Sequence, residues 1–176
     1  HAEPMQNQKP KPVFTEEKIQ QRVSEIGRQI SRDYEQKSLH VVGILEDAFI
    51  FMADLVRAIS CPVICHFLKA EIRDVSEGNR SIREVIFTPR IDAKAKDILL
   101  VEGVLDSGVT LDYLVRLLGS QNPTSLRAAV LADKKHERKV EVPTDYVAFE
   151  VGKAFLVGYG LGYREQHRNL PYLGTL

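Results

Sequence analysis

Residues 97–118 read DILLVEGVLDSGVTLDYLVRLL, and this stretch decides the fold. Ile98 to Val101 is an apolar run suited to a buried strand. Ser107 and Gly108 interrupt it, and Leu111, Leu114, Val115 and Leu118 then recur at helical spacing, which predicts a helix over 109–119. A strand that ends in a glycine turn and opens a helix gathers unpaired backbone N–H groups at the positive end of the helix dipole. That arrangement is a phosphate cradle made of backbone. Asp106 stands at its lip, and Ser107 and Thr110 add hydroxyls.

Outward from this unit, strands and helices alternate. Thr15 can cap a helix that carries Ile19, Val23, Ile26 and Ile30 on one stripe to about Tyr34, with Phe14 placed to staple onto Ile19. Leu39 to Leu45 reads as a buried strand, and Asp47 can cap a following helix that runs to about Ile59. Val63 to Leu68 and Glu84 to Thr88 read as strands, with the polar stretch 70–80 as a mobile loop between them. Ser125 to Leu131, Tyr146 to Glu150 and Phe155 to Tyr159 complete the set. Such alternation predicts an α/β fold with a central parallel sheet covered by helices on both faces. Residues 1–12 are polar and proline-bearing and read as a disordered tail before a single domain over 13–176.

The chain has 176 residues, enough for one well-cored domain, and its 24 basic and 24 acidic residues cancel. Balanced charge gives no drive towards nucleic acid or an anionic membrane, and no apolar run is long enough to span a bilayer. Cys61 and Cys65 fit neither a CxxC pair nor a zinc set and read as buried free thiols, consistent with a cytoplasmic protein.

The wording of the central segment is more specific than its geometry. VEGVLDSGVTL, residues 101–111, resembles the ribose-phosphate motif of the type I phosphoribosyltransferases. LEDAFIFMADLVRAI (45–59), LADK (131–134) and TDYVAFEVGKAFLVGYGLGYREQHRNLPYLGTL (144–176) resemble the hypoxanthine-guanine branch of that family. The resemblance implies a parallel sheet with a small hood built partly from the C-terminal region. It also implies transfer of a phosphoribosyl group from phosphoribosyl pyrophosphate to hypoxanthine or guanine. By position, it gives Asp106 the role of general acid or base at the purine, and Ser107, Gly108, Val109 and Thr110 the 5′-phosphate. Lys134 meets the 6-oxo group, Phe155 stacks on the base, and Leu156 offers backbone to it. Arg138 and Arg168 match arginines near the lysine and the pyrophosphate side, and Glu102 falls near the ribose hydroxyls and Mg²⁺. A homo-oligomer, dimer or tetramer, is implied as well.

The departures from the family are concentrated. Glu46-Asp47 stand where the first loop carries Lys-Gly, and the mobile loop AEIRDVSEGNR has no Ser-Tyr pair. Gly103 replaces the second acid of the ribose motif, and Gly162 replaces an Asp of the hood. Two carboxylates beside a polyanion site repel it, and two missing acids weaken Mg²⁺ binding. A transferase with weakened activity is therefore expected, and a purine-nucleotide-binding or regulatory protein on the same scaffold is the alternative. Restoring acids at 103 and 162 is expected to raise Mg²⁺-dependent activity.

Overall fold

The computed structural model describes residues 9–77, 80–88 and 90–176, with side chains described for 9–69 and 90–176. The central sheet has six strands: β2 (Leu39–Leu45), β3 (Val63–Glu77), β4 (Arg80–Thr88), β5 (Asp97–Leu105), β6 (Ser125–Asp133) and β7 (Tyr146–Glu150). Their order is β4-β3-β2-β5-β6-β7, parallel throughout except for β4, which runs antiparallel to β3. The expected α/β fold with a central parallel sheet is what forms.

The inner strands are apolar on both faces because both faces are covered. Leu99 and Val101 of β5 join Val41, Ala129 and Leu131 under helices α1 (Glu16–Asp33) and α2 (Phe49–Arg57). Ile98 and Leu100, one residue out of phase, join Val42, Ala128 and Val130 under helix α3 (Val109–Gly119). The period of two along each strand thus fills two cores at once.

Thr15 caps α1 as its sequence predicts, its hydroxyl accepting from the Lys18 N–H at 3.2 Å. Phe14 uses its ring differently, stacking on Phe149 at 4.1 Å between centroids. Helix α2 is not capped by Asp47. Its cap is Ala48, without a side-chain hydrogen bond, because Asp47 is drawn into an ion pair with Arg168.

Three further expectations are corrected. The stretch 70–80 is strand rather than loop through Glu77: β3 and β4 form one long hairpin, registered from Lys69↔Thr88 to Glu77↔Arg80. Residues 78–79 of that stretch lie outside the described residues, as do 1–8 of the expected tail. The tail also ends early. Lys11–Phe14 forms strand β1, which pairs antiparallel with β9 (Leu173–Thr175), itself paired with β8 (Leu156–Val157). This small sheet is the hood. Finally, the cysteines are free, but Cys65 is exposed and Cys61 only half-buried.

The hood is fastened to the main body from two sides. The Tyr159 hydroxyl donates to the Asp54 carboxylate of α2, and Arg168 reaches back to Asp47. No helix among the described residues is long and apolar enough to cross a membrane.

Gly27 marks the tightest helix contact. A Cβ there would stand 2.5 Å from the Ala58 Cβ and 2.6 Å from its carbonyl oxygen. Gly27→Ala gains about 1 kcal/mol of helix propensity and loses about 1–3 kcal/mol to overpacking against backbone. We expect a net loss of stability, read as a lower urea midpoint. An unchanged or higher midpoint would show that the two helices can part freely.

Candidate active site

Parallel strands deliver their C-terminal ends to one edge of the sheet, where α/β proteins place their ligands. Here that edge carries Leu45-Glu46-Asp47 after β2, Asp106 to Thr110 after β5, and Lys134 after β6. The Leu45–Glu46 peptide is cis. A cleft of about 290 Å³ opens there, bordered by Glu46, Asp47, Glu102, Asp106, Thr110 and Arg168 among others.

The turn between β5 and α3 is built as the sequence predicts. Gly108 caps α3 in the left-handed region, at φ 82°. A Cβ on it would meet the Arg138 Cδ at 3.0 Å and the Val140 carbonyl at 3.1 Å, so glycine is required twice over. The Ser107 N–H donates to Asp106 Oδ1 at 2.8 Å, and the Val109 N–H to Ser107 Oγ at 3.4 Å. Gly108, the capping residue, has no side chain of its own to offer. The first-turn N–H groups of α3 lack intrahelical partners by geometry, and Gly108, Thr110 and Leu111 border the cleft.

Glu102, on β5, lines the same cleft. Its carboxyl is pushed up to about 8, first by burial and then by the charges of Asp47 and Asp106, against a backbone hydrogen bond from Gly103 that pulls it down. Near neutral pH it is therefore largely protonated.

On the base side, Lys134 follows the last residue of β6, and its N–H donates to the Leu105 carbonyl at 2.8 Å. Its ammonium stands 5.8 Å from the centre of the Phe155 ring. Phe155 is 53% exposed, with one edge against Tyr163, so its face is available to a flat ligand. Leu156 is buried in β8, paired with Thr175 of β9.

Sequence reasoning missed Asp133. This aspartate is 1% exposed, and its carboxylate accepts from the Arg138 guanidinium, while Arg138 Nε donates to the Asp106 carbonyl at 3.2 Å. Oδ2 of Asp133 has no partner among the described residues. The pair ties the Lys134 loop to the back of the phosphate turn, reinforced by the Lys139 and Val140 N–H groups on the Ser107 carbonyl. Arg138 accordingly sits behind the turn and beside the Lys134 loop. An acid just before Lys134 and an arginine five residues on was the available signal.

Arg168, Glu46 and Asp47 do come together. Arg168 Nη1 donates to Asp47 Oδ1 at 2.6 Å, and Nη2 reaches Glu46 Oε2 at 3.5 Å. Lys69 Nζ lies 3.2 Å from Glu46 Oε1. The two replaced acids are explained by the same cluster. A Cβ on Gly103 would stand 2.7 Å from the Asp47 Cβ, and a Cβ on Gly162 would stand 2.8 Å from Arg168 Nε. A side chain at 103 therefore requires Asp47 to shift, and one at 162 requires the Arg168 guanidinium to move aside.

Mg²⁺ takes carboxylate oxygens in a strict octahedral set. Among the described residues no group of three or more His, Cys, Asp or Glu side chains is spaced to hold a metal ion. Asp47 is committed to Arg168, and burial with the neighbouring charges disfavours a charged Glu102. The carboxylates at this edge therefore do not form a ready-made set for the Mg²⁺ that the resemblance implies.

With this geometry in place, comparison with known proteins gives concordant matches. A model of the phosphoribosyl transferase domain matches residues 13–164. The hypoxanthine-guanine phosphoribosyltransferase of Dictyostelium discoideum is 44% identical over 168 residues, 93% of each chain. That of Bacillus subtilis is 39% identical over 171 residues, 94% of this chain and 92% of the other. A crystal structure of a Bacillus anthracis hypoxanthine-guanine phosphoribosyltransferase superposes with a TM-score of 0.82 at 32% identity, over 93% of this chain and 95% of that one.

Two measurements check the site. Because the Glu102 carboxyl is raised, the folded state binds its proton after the unfolded state has released it. This group's contribution to stability should fall as pH rises from about 4.5 to about 8. Urea titrations of wild type and Glu102→Gln should diverge over that window, with wild type losing ground as pH rises; parallel curves would refute the raised carboxyl. Asp133→Ala strands the Arg138 guanidinium and should cost about 3–5 kcal/mol, the usual loss on breaking a buried pair. A loss under about 1 kcal/mol would mean that the pair is solvated and holds nothing.

Proposed function

Since the chain belongs to the phosphoribosyltransferase family, we propose that it transfers the phosphoribosyl group of phosphoribosyl pyrophosphate to hypoxanthine or guanine, giving IMP or GMP. The observation that carries this reading is the pairing of a phosphate turn at Ser107–Thr110 with a base slot made by Lys134 and the exposed Phe155 face. Lys134 rewards a 6-oxo group and penalises a 6-amino group, because an ammonium can only donate. Phe155 supplies stacking that does not depend on base edges. Leu156 adds backbone beside the base.

In the proposed reaction, N9 of the base bonds to C1′ of the ribose as the bond from C1′ to the pyrophosphate oxygen breaks. The base proton leaves to Asp106, whose carboxylate stands at the lip of the turn. The turn holds the 5′-phosphate in place, and positioning supplies most of the rate. Glu102 approaches the ribose hydroxyls as a neutral acid able to donate. Arg168 faces the departing diphosphate, with Glu46 and Asp47 opposing it, so turnover falls below the usual ~1–10³ s⁻¹. Mg²⁺ enters as a weak requirement. The purine-salvage role sits in the cytoplasm. A homo-oligomer is supported by the exposed apolar Phe49, Ile64 and Phe67.

Initial rates of IMP and GMP formation test this directly. Wild type should turn over slowly, and Asp106→Asn should abolish product while leaving GMP binding within a few-fold. GMP and IMP should bind more tightly than AMP by about 1–3 kcal/mol in calorimetry, the cost of an unpaired buried donor. Equal AMP affinity would remove Lys134 from the base, and no product from any 6-oxopurine would leave a binding protein.

A further inference from the structure

Phe155 is 53% exposed and stands one residue before β8. The segment leading to it is loosely packed: Lys153 and Ala154 are exposed, and a Cβ on Gly152 would meet nothing within 4 Å. A ring so placed can turn about its own side-chain bonds, and it must be ordered before a flat ligand can stack on it. Its one aromatic contact among the described residues is Tyr163, 5.6 Å away between centroids with the two planes 77° apart. Such a perpendicular contact fixes the plane of each ring against the other, because edge and face carry opposite partial charge. The Lys134 ammonium lies 5.8 Å from the centre of the same Phe155 ring.

Tyr163 is itself bracketed. Tyr163 and Gln166 exchange both backbone hydrogen bonds, at 3.1 and 3.0 Å, and so close a two-residue turn over Arg164 and Glu165. Both central residues have positive φ, 48° and 64°, as a type I′ turn requires. That turn favours Asn-Gly, and here Arg-Glu occupies it. Left-handed backbone under side chains of this size persists where the surroundings over-determine it. The surroundings do so on two sides. The Arg164 guanidinium stands 5.2 Å from the centre of the Tyr163 ring, and Arg168, two residues past the turn, is tied to Asp47.

We propose that Tyr163 is a positioning residue for the purine: it sets the plane of Phe155 before the ligand arrives, and the 163–166 hairpin holds Tyr163 in place to do so. The inference rests on the functional reading above and extends it from the ring that meets the base to the ring behind it. Tyr163 acts through Phe155. It therefore matters to a ligand that carries a flat base and not to a sugar phosphate alone.

Calorimetric titration of GMP and of ribose 5-phosphate into the full chain separates positioning from general support. Tyr163→Leu should weaken GMP about fivefold, the worth of one aromatic pair, and leave ribose 5-phosphate within about twofold of wild type. Tyr163→Phe, the conservative variant, keeps the ring and should recover GMP affinity to within about twofold of wild type. Phe155→Leu should weaken GMP about tenfold or more. Adding Tyr163→Leu to it should cost less than about a further twofold, because the ring that Tyr163 orients is already gone. A merely structural role for Tyr163 weakens both ligands together and persists in the Phe155→Leu background; either result overturns the proposal. So does wild-type GMP affinity in Tyr163→Leu. If Tyr163→Leu does not fold, Tyr163→His decides, since it keeps a smaller flat ring: GMP weakened with ribose 5-phosphate unchanged supports the proposal, and any other pattern overturns it. These outcomes, in a wild type that prefers GMP to ribose 5-phosphate, sink this inference alone. A wild type that binds GMP no more tightly than ribose 5-phosphate has no base slot, and the functional reading falls with the inference.

Discussion

The parallel register of β2, β5 and β6 is the constraint on which everything else hangs. Gly43↔Val101 and Val101↔Ala129 align the three strands, so that their ends bring Glu46, Asp106 and Lys134 to one edge. A parallel sheet is covered on both faces, so its strands are apolar, and all of its parallel strands end at the same edge. Polar chemistry is thereby expelled to the strand ends. The only fully buried charged side chain among the described residues, Asp133, lies at such an end, where it grips Arg138.

Electrostatics at that edge is a contest between crowding and pairing. Carboxylates in close company either shed charge or find a cation. Glu102 does the first: burial, and then the charges of Asp47 and Asp106, push its carboxyl up to about 8. Asp47 does the second through Arg168. The two solutions differ in reach. A proton on Glu102 is a local remedy, whereas Arg168 spans from hood to sheet and so makes the neutralisation of the cleft depend on the hood being in place. The Tyr159–Asp54 contact holds the other end of the same attachment.

Most of the fold was legible because its signals are local. The helical stripe of 109–119 and the apolar run of Leu39 to Leu45 were read at their observed bounds. The hood strands β1 and β9 were not, since KPVF and LGT are too short to show a period and owe their structure to pairing across the whole chain. The long hairpin was misread for the opposite reason, its polar residues 70–77 resembling a loop while the β4 ladder holds them extended. At the site, Gly103 and Gly162 read as losses. Only the positions of Asp47 and Arg168 show them as room already taken. Spacing along the chain reveals which residues are present, but which of them exclude one another is a property of three dimensions.

The close approach at Gly103 also couples two positions that lie far apart in the sequence. With aspartate at 47, a Cβ at 103 would stand 2.7 Å from the Asp47 Cβ and 3.1 Å from its carbonyl carbon and oxygen, so one of them must shift. Substitutions at 47 and 103 therefore do not add: each changes the room that the other has.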